Sequence, residues 1–391
     1  MPQKSVLPVI VIVQFFCTSL WFAGNAVMNN LMLDFDLGSS ALGHLTTAVQ
    51  FGFISGTFVF ALLCIVDRFS PSTVFCFSAC CAALFNLGVI WNGNSSWSIL
   101  LFRVMTGFFL AGIYPVGMKI AADYFEKGLG KALGFLVGAL VLGTALPHAL
   151  KDLTETLPWK YVIIGTSCLA VLGGLSLLAM VPNGPYRKKN QKLDLSVCFK
   201  VFKNKNFRTS AFGYFGHMWE LYTSWAFVPI ILEVFSNEHG IALNIPLLSF
   251  LIIGIGGMAC VLGGYLAMTL GTQKTAFYAL LLSGTCCLIS PWMFALDSEI
   301  IFVGFLLFWG MTVIADSPLF STLVAQNAPS EMKGTALTIV NCIGFSITII
   351  SIQLITTIRE MTGSNSIYVI LGIGPIIGII ALLRNPITQD K

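Results

Sequence analysis

The chain has 391 residues, of which 56% are hydrophobic and only 10% are Asp, Glu, Lys or Arg. A soluble domain carries roughly 25% charged residues, so this composition excludes a water-soluble globular enzyme and a disordered protein. The formal net charge of +4 is too small to indicate binding to nucleic acid. We therefore expect an integral membrane protein that contacts the lipid bilayer and has no nucleic-acid partner.

Twelve apolar segments are long enough to cross a bilayer as helices, which requires about 20 residues each. Their apolar runs are continuous, which favours helices over the alternating strands of a β-barrel. The segments lie near residues 7–28, 44–66, 73–91, 98–119, 130–150, 160–181, 209–232, 246–268, 275–296, 300–322, 334–357 and 366–383. The sequence thus predicts an all-α polytopic membrane protein with 12 transmembrane helices, the first of which is retained and not cleaved as a signal peptide.

The distribution of Lys and Arg predicts the orientation. With both termini in the cytoplasm, seventeen of the 21 Lys and Arg lie in cytoplasmic segments, three in outer loops and one, Arg103, inside a span. Residues 182–208 hold eight of these cations and begin with a Pro-Asn-Gly-Pro sequence that ends a helix. We expect an N-terminal six-helix bundle over 1–181, a basic cytoplasmic linker over 182–208 and a C-terminal six-helix bundle over 209–391.

Two parts of the chain resemble each other at a nearly constant spacing. Gly130-Lys131-Ala132-Leu133, at the start of the fifth span, matches Gly334-Thr335-Ala336-Leu337 at the start of the eleventh, 204 residues later. Pro115 and Pro318, near the ends of the fourth and tenth spans, are 203 residues apart. Parallel repeats of six helices are a known transporter arrangement, so the sequence predicts two related bundles.

Two short motifs point to a family that the chain resembles over essentially its whole length. The fourth span contains the pattern R-x-x-x-G-x-x-x-A as Arg103, Gly107 and Ala111, and the loop after the second span contains Asp67-Arg68. Both motifs are similar to signatures of the major facilitator superfamily, although the leading glycine of the loop signature is replaced here. The resemblance implies a secondary transporter in which spans one, four, seven and ten line a central cavity.

The resemblance also implies a gating role for Asp67 and Arg68. In this interpretation Asp67 lies against the start of span eleven, near Gly334 and Thr335, where a helix N-terminus stabilises an acid by about 0.3–1 kcal/mol. The antiporter signature of span five is poorly met, because Ala139 stands at its proline position. This departure counts against drug/proton antiport.

Charged side chains inside the spans are the strongest candidates for a functional site. Arg103 lies in span four, Glu220 in span seven and Asp316 in span ten, and His217 lies one helical turn from Glu220. Each formal charge at mid-bilayer costs about 2.5–3.5 kcal/mol on insertion scales, so each needs a reason to be there. Helical spacing places polar and aromatic residues on the same faces. The predicted substrate and proton pathway contains Arg103, Glu220, His217, Asp316, Tyr114, Tyr214, Asn25, Gln14 and Trp309.

Each charged candidate has two interpretations. Arg103 either binds an anionic group or modulates a nearby acid, or it hydrogen-bonds carbonyls and polar groups between helices. Glu220 either accepts and releases a proton, because desolvation favours its uncharged form, or stays protonated and bonded to a neighbour. His217 is either a titrating group or a packing residue. Asp316 either lines the cavity or caps and bends its helix.

The leading hypothesis is a secondary active transporter that moves a small polar or anionic solute by alternating access, coupled to protons. We expect a monomer in a bacterial inner membrane, with no cofactor and no metal. One alternative is a multidrug or metabolite proton antiporter that exports its substrate. The other is a membrane-embedded enzyme using His217 and Glu220 as acid and base or as metal ligands; the i, i+3 pair is not repeated on a second helix, as bundle metal sites require, so we expect no enzyme.

Overall fold

The computed structural model describes residues 3–125, 129–187, 200–329 and 333–384. The chain forms two compact units, and each is considered by itself. The N-terminal unit comprises residues 1–192 and 244–254, and the C-terminal unit comprises residues 193–243 and 255–391. Residues 188–199 of the expected linker lie outside the described residues.

Ten helices precede the expected linker among the described residues of the N-terminal unit. They are α1 (Gln3–Thr18), α2 (Ala23–Ala26), α3 (Met28–Asp34), α4 (Ala41–Leu62), α5 (Ile65–Arg68), α6 (Pro71–Gly88), α7 (Ser96–Leu110), α8 (Tyr114–Tyr124), α9 (Leu129–Leu153) and α10 (Lys160–Met180). The described helices after the linker are α11 (Lys205–His239), α12 (Ile245–Leu270), α13 (Thr272–Phe294), α14 (Glu299–Ala315), α15 (Ser317–Asn327), α16 (Lys333–Thr362), a 3₁₀ segment (Asn365–Gly372) and α17 (Ile373–Arg384). No strand occurs among the described residues, which agrees with the all-α prediction.

Ten helical stretches in the described part of the chain are long and apolar enough to cross a membrane. They are Ala41–Leu62, Pro71–Gly88, Ser96–Tyr124, Lys131–Leu153, Lys160–Met180, Ile245–Leu270, Thr272–Phe294, Glu299–Asn327, Gly334–Thr362 and Asn365–Arg384. The predicted spans one and seven are not among them, so the predicted total of twelve is not confirmed. In span seven the cause is polarity: α11 has 35 residues, but side chains such as His217 and Glu220 lower its apolar character.

The first predicted span is not the continuous helix expected over residues 7–28. Helix α1 ends at Thr18, and α2 begins only at Ala23. The Thr18 hydroxyl donates to the carbonyl of Gln14 at 2.8 Å, and the Ser19 hydroxyl donates to the carbonyl of Phe16 at 2.6 Å. Such side-chain bonds compete with the helical hydrogen bonds, so the sequence opens the helix at this point and leaves backbone carbonyls for other donors.

Two further breaks occur at the prolines that are 203 residues apart in the sequence. Helix α7 ends at Leu110 and α8 begins at Tyr114, with Pro115 in its first turn. Helix α14 ends at Ala315 and α15 begins at Ser317, with Pro318 in its first turn. Proline is tolerated there because a first-turn N–H has no intrahelical acceptor. The repeat seen in the sequence is therefore also a repeat of helix breaks.

Helices α4 and α7 pack closely because glycines lie at their contact. A Cβ atom on Gly107 would collide with the backbone carbonyl of Val49, and one on Gly52 would collide with the carbonyl of Val104. Small residues let membrane helices approach in this way. Gly107, the glycine of the span-four motif, thus has a packing role. It holds α7 against α4 at a point one helical turn after Arg103.

Candidate functional site

Arg103 lies inside the N-terminal unit, where its guanidinium joins three helical elements. The side chain is 1% exposed. One terminal nitrogen, Nη2, donates to the carbonyl of Trp21 at 2.7 Å, and Nη1 donates to Oδ1 of Asn86 at 3.1 Å; both lie 3.4 Å from the carbonyl of Leu20. The two carbonyls belong to the break after α1. Arg103 therefore supplies the donors that the interrupted helix lacks.

Asn86 extends this arrangement from α6 to α10. Its Nδ2 donates to the Ser167 hydroxyl at 2.9 Å and lies 3.3 Å from both the Thr166 hydroxyl and the Ile163 carbonyl. Sequence reasoning did not select Asn86, although it is the one amide side chain in the predicted third span. Its role depends on which helices pack against α6, and the sequence pattern does not state that.

Glu220 lies at the centre of a similar junction in the C-terminal unit. Its Oε1 accepts from the indole Nε1 of Trp309 at 2.7 Å and from the Cys287 thiol at 3.3 Å. Its Oε2 accepts from the Ser283 hydroxyl at 2.9 Å. The carboxyl group thus joins α11 to α13 and α14 and is 1% exposed. Of its three partners, only Trp309 was among the predicted site residues.

The two junctions occupy equivalent positions in the sequence repeat. Leu20 and Glu220 are 200 residues apart, and Arg103 and Trp309 are 206 apart. In both units the fourth predicted span of the repeat donates N–H groups to an oxygen of the first. The N-terminal junction combines a permanent cation with backbone oxygens, whereas the acceptor of the C-terminal junction is a carboxyl group. Of these two groups, only the carboxyl can change its charge at ordinary pH.

His217 and Asp316 form a second polar contact in the C-terminal unit. Nδ1 of His217 lies 2.8 Å from Oδ1 of Asp316, and both side chains are 1% exposed. The contact is electrostatic: none of the four nitrogen and oxygen atoms of these two side chains makes a hydrogen bond of good geometry among the described residues. Asp316 lies at the break between α14 and α15, while His217 precedes Glu220 by one turn of α11, about 4.5 Å along the axis. The ring of Tyr214, also buried, lies 6.1 Å from that of His217.

The Major Facilitator Superfamily model matches residues 10–352, which is most of the chain. The chain belongs to this superfamily. Its fold is similar to that of a mutant of the nucleoside transporter NupG, with a TM-score of 0.73, 12% identity and coverage of 97% of this chain and 99% of that one. It is also similar to the proton:xylose symporter XylE bound to 6-bromo-6-deoxy-D-glucose, with a TM-score of 0.75, 14% identity and coverage of 98% and 95%. No curated protein sequence matches the chain. The superfamily match and the apolar helices indicate a multi-pass membrane transporter.

The remaining predicted site residues of this superfamily member lie in the N-terminal unit, on different helices. Asn25 donates from Nδ2 to the Thr46 hydroxyl at 2.8 Å. Gln14 is fully buried, and both polar atoms of its amide lack a hydrogen-bond partner among the described residues. Tyr114 is partly exposed at the start of α8. The three residues lie on α2, α1 and α8, and the Gln14 amide packs against Gly117, one turn after Tyr114 on α8.

Three buried polar side chains in the N-terminal unit were missed by the sequence reasoning. Gln50, His148 and Ser249 are at most 2% exposed, and their unpaired polar atoms have no partner among the described residues. Gln50 lies one turn after Thr46 on α4. All three lie in predicted spans two, five and eight, which the resemblance did not place around the cavity. Their signal in the sequence is a single polar residue within an apolar run.

The register of α12 against α9 places Ser249 at the level of His148. At one end, Nδ2 of Asn244 donates to Oδ1 of Asp152 at 2.7 Å. At the other end, Gly254 packs beside Ala145. Ser249 is midway between Asn244 and Gly254, as His148 is between Asp152 and Ala145. Two buried groups without described partners thus occur at one depth of this unit.

The predicted gating residues, Asp67 and Arg68, both lie in α5, shortly after the end of α4. The carboxylate of Asp67 forms an ion pair with Lys119 of α8, and Arg68 is exposed. Gly334 and Thr335, the expected neighbours of Asp67, belong to the other unit. A gating role for Asp67 and Arg68 stays a prediction.

No group of three or more His, Cys, Asp or Glu side chains that could hold a metal is found within the described ranges. His217 contacts one carboxyl group, that of Asp316, and Glu220 is surrounded by hydroxyl, thiol and indole donors. In this structure the carboxylate of Glu220 therefore serves as the acceptor of three hydrogen bonds. The arrangement is thus suited to holding or moving a proton.

Proposed function

We propose that this superfamily member is a secondary transporter that moves a small, uncharged polar solute by alternating access and couples that movement to protons. We further propose that it acts as a monomer in a bacterial inner membrane. The observation that carries the proton coupling is the buried group of His217, Asp316 and Glu220 in the C-terminal unit. His217 and Glu220 lie on neighbouring turns of α11, and His217 contacts Asp316. Each of the three side chains is at most 1% exposed.

The surroundings of Glu220 support a role in proton transfer. Three donors stabilise its carboxylate, while loss of water destabilises the same charge. Because these effects oppose each other, the charge of Glu220 is sensitive to any change in access to water. His217 has two ring nitrogens that can each bind a proton, and it contacts the second buried acid, Asp316. The group can therefore hold protons at more than one atom.

The charge distribution in the N-terminal unit supports an uncharged solute over an anionic one. The guanidinium of Arg103 is engaged by Leu20, Trp21 and Asn86. Most of the buried groups with unused hydrogen-bonding capacity are uncharged, among them the amides of Gln14 and Gln50, the imidazole of His148 and the hydroxyl of Ser249. The charged exceptions, Asp123 and Arg187, lie at the end of α8 and after α10. Buried polar groups without partners cost about 1–3 kcal/mol each, so they favour a ligand or water that can bond to them. A solute rich in hydroxyl or amide groups fits this requirement.

Reconstitution into liposomes tests the coupling. D-xylose and uridine are suitable first probes, because the similar structures are described as a xylose symporter and a nucleoside transporter. Binding of either probe to the solubilised protein is measured first by its effect on the melting temperature. We then expect accumulation of the binding probe to depend on an imposed pH gradient. Accumulation that is indifferent to the gradient would refute proton coupling.

The variant Glu220→Gln separates coupling from binding. We expect it to abolish gradient-driven accumulation while leaving exchange of labelled for unlabelled solute intact. Glu238→Gln is the matched control, because Glu238 is exposed near the end of the same helix and bonds to Asn365. The sign of the gradient that drives uptake gives the direction: an acidic exterior indicates symport, and an acidic interior indicates the antiport considered as an alternative.

A further inference from the structure

The N-terminal unit contains an apolar pocket that the proposed transport does not use. It has a volume of about 370 Å³ and lies between α4, α6 and α7. This volume falls within the range of small-molecule pockets, about 300–1,000 Å³. Its walls are mainly aromatic and aliphatic and include Val59, Phe60, Phe69, Phe77, Phe108 and Phe109. A polar solute would gain little there, whereas a hydrocarbon chain would be solvated well.

The pocket opens on a face of the unit that carries exposed apolar side chains. Phe77 and Phe69, which line it, are 63% and 59% exposed. Thr73, one turn before Phe77 on α6, is also exposed and lines the same opening. Exposed aromatic side chains on a membrane-spanning helix face acyl chains. The pocket is therefore accessible from the hydrocarbon region of the bilayer.

Two arginines flank the end of the pocket that is formed by Phe69. Nη2 of Arg187 donates to the carbonyl of Phe69 at 2.6 Å and to that of Asp67 at 3.2 Å, and Nη1 donates to Oδ1 of Asn183 at 3.2 Å. Arg68, adjacent to Phe69 in the chain, is exposed and has no ion-pair partner among the described residues. Asp67 is already paired with Lys119. Asp123 offsets the charge of Arg187, so the unneutralised positive charge of the rim is that of Arg68.

We propose that this pocket binds an acyl chain of an anionic phospholipid, with the headgroup phosphate held by Arg68. Arginine is suited to phosphate because its planar fork of donors matches the phosphate oxygens. Basic pockets between membrane helices favour anionic headgroups, and each cation near the surface strengthens binding about fivefold. The apolar wall and the basic rim are adjacent at Phe69, which is the arrangement that one lipid molecule requires. This inference does not depend on the proposed transport activity.

Lipid titration of the full-length protein tests this site. The protein is stripped of lipid in a neutral detergent and titrated with phosphatidylglycerol or phosphatidylcholine of identical acyl chains, and the bound lipid is counted by native mass spectrometry. We expect phosphatidylglycerol to bind about fivefold more tightly. Arg68→Gln should remove most of this preference, while Arg384→Gln, an equivalent loss at the exposed end of α17, should leave it unchanged. Inorganic phosphate alone should not compete, because it lacks the chain.

A second pair of variants tests the pocket itself. Thr73→Trp places a large side chain in the opening and should weaken binding of both lipids about fourfold for each CH₂ group of the acyl chain that it displaces. Thr285→Trp is the control, since Thr285 is an exposed threonine on α13. Equal affinity for the two lipids in the wild type would overturn the headgroup assignment. Unchanged phosphatidylglycerol binding in Thr73→Trp would overturn the pocket assignment, and the Arg68→Gln arm tests the site independently of that substitution.

Discussion

Nδ1 of His217 lies 2.8 Å from Oδ1 of Asp316, at a depth where both side chains are 1% exposed. The contact joins α11 to the break between α14 and α15, 99 residues later in the chain. Burying such a pair is favourable only when each partner compensates the other, because an unpaired buried charge is strongly destabilising. The two side chains should therefore act as a unit in both stability and transport.

A double-mutant cycle measures this coupling. We expect His217→Gln and Asp316→Asn each to lower the free energy of unfolding in mixed micelles, with an interaction energy of about 0.5–3 kcal/mol between them. The control is the contact of His239 with Asp297, whose atoms are 3.4 Å apart and whose acid is 84% exposed. That exposed pair should show a coupling near zero. Additive effects of the buried pair would contradict the interpretation.

The indole of Trp309 offers a test that leaves Glu220 in place. Trp309→Phe removes the N–H donor at 2.7 Å while retaining an aromatic ring. A donor to a carboxylate stabilises the charged form, so we expect the pH profile of gradient-driven uptake to move to higher pH. Trp219→Phe removes a comparable indole donor, which bonds to the Ile370 carbonyl at 3.1 Å, and should leave the profile in place. Identical profiles for all three proteins would argue against proton transfer at Glu220.

Arg103 is expected to act on folding more than on solute binding. Arg103→Gln leaves the carbonyls of Leu20 and Trp21 and the amide of Asn86 with unused acceptors, each costing about 1–3 kcal/mol. Arg103→Lys should recover part of this loss, because an ammonium cannot reproduce the planar fork. Melting temperature and the yield of monodisperse protein measure the effect, with Arg384→Gln as an exposed control. A stable variant whose only defect is a raised KM would instead assign Arg103 to the solute.

Gln50 should show the opposite behaviour. Both polar atoms of its buried amide lack a partner among the described residues, so Gln50→Leu is expected to raise stability by about 1 kcal/mol. If Gln50 binds solute, the same variant should transport less. Asn86→Leu is the comparison, since Asn86 bonds to Ser167 and Arg103 and should lose stability. A Gln50→Leu protein with normal transport would remove Gln50 from the proposed solute-binding groups.

Replacing the glycine at the contact of α4 and α7 tests the contribution of helix packing to stability. Gly107→Ala would force its Cβ into the Val49 carbonyl, so we expect a loss of about 1–3 kcal/mol in stability. Gly304→Ala is the matched control: no atom lies within 4 Å of its added Cβ, and alanine favours a helix by about 1 kcal/mol. Unfolding in mixed micelles compares the two. Similar effects at both positions would show that helix propensity, and not contact, dominates.

The sequence located the charged residues of the candidate site because each is conspicuous in an apolar span. Arg103, Glu220, His217 and Asp316 are all buried, as the cost of exposing a charge to lipid requires. The sequence did not reveal Gln50 or the other uncharged polar groups, because one amide in an apolar run is a weak signal. The sequence also predicted a continuous first helix. The hydroxyl bonds of Thr18 and Ser19 that interrupt α1 could not be foreseen, because they compete with helical bonds of similar strength.

Membrane insertion, helical secondary structure and the repeated prolines followed from the sequence by itself, although the helix breaks at those prolines did not. These properties depend on transfer free energies and local backbone preferences, which are set residue by residue along a short window. The partners of each buried polar group were decided only by the tertiary structure. Arg103 bonds to Trp21 from 82 residues away and Glu220 to Trp309 from 89, and such bonds form because the low dielectric of a packed interior makes an unpaired polar atom costly wherever its partner lies in the chain.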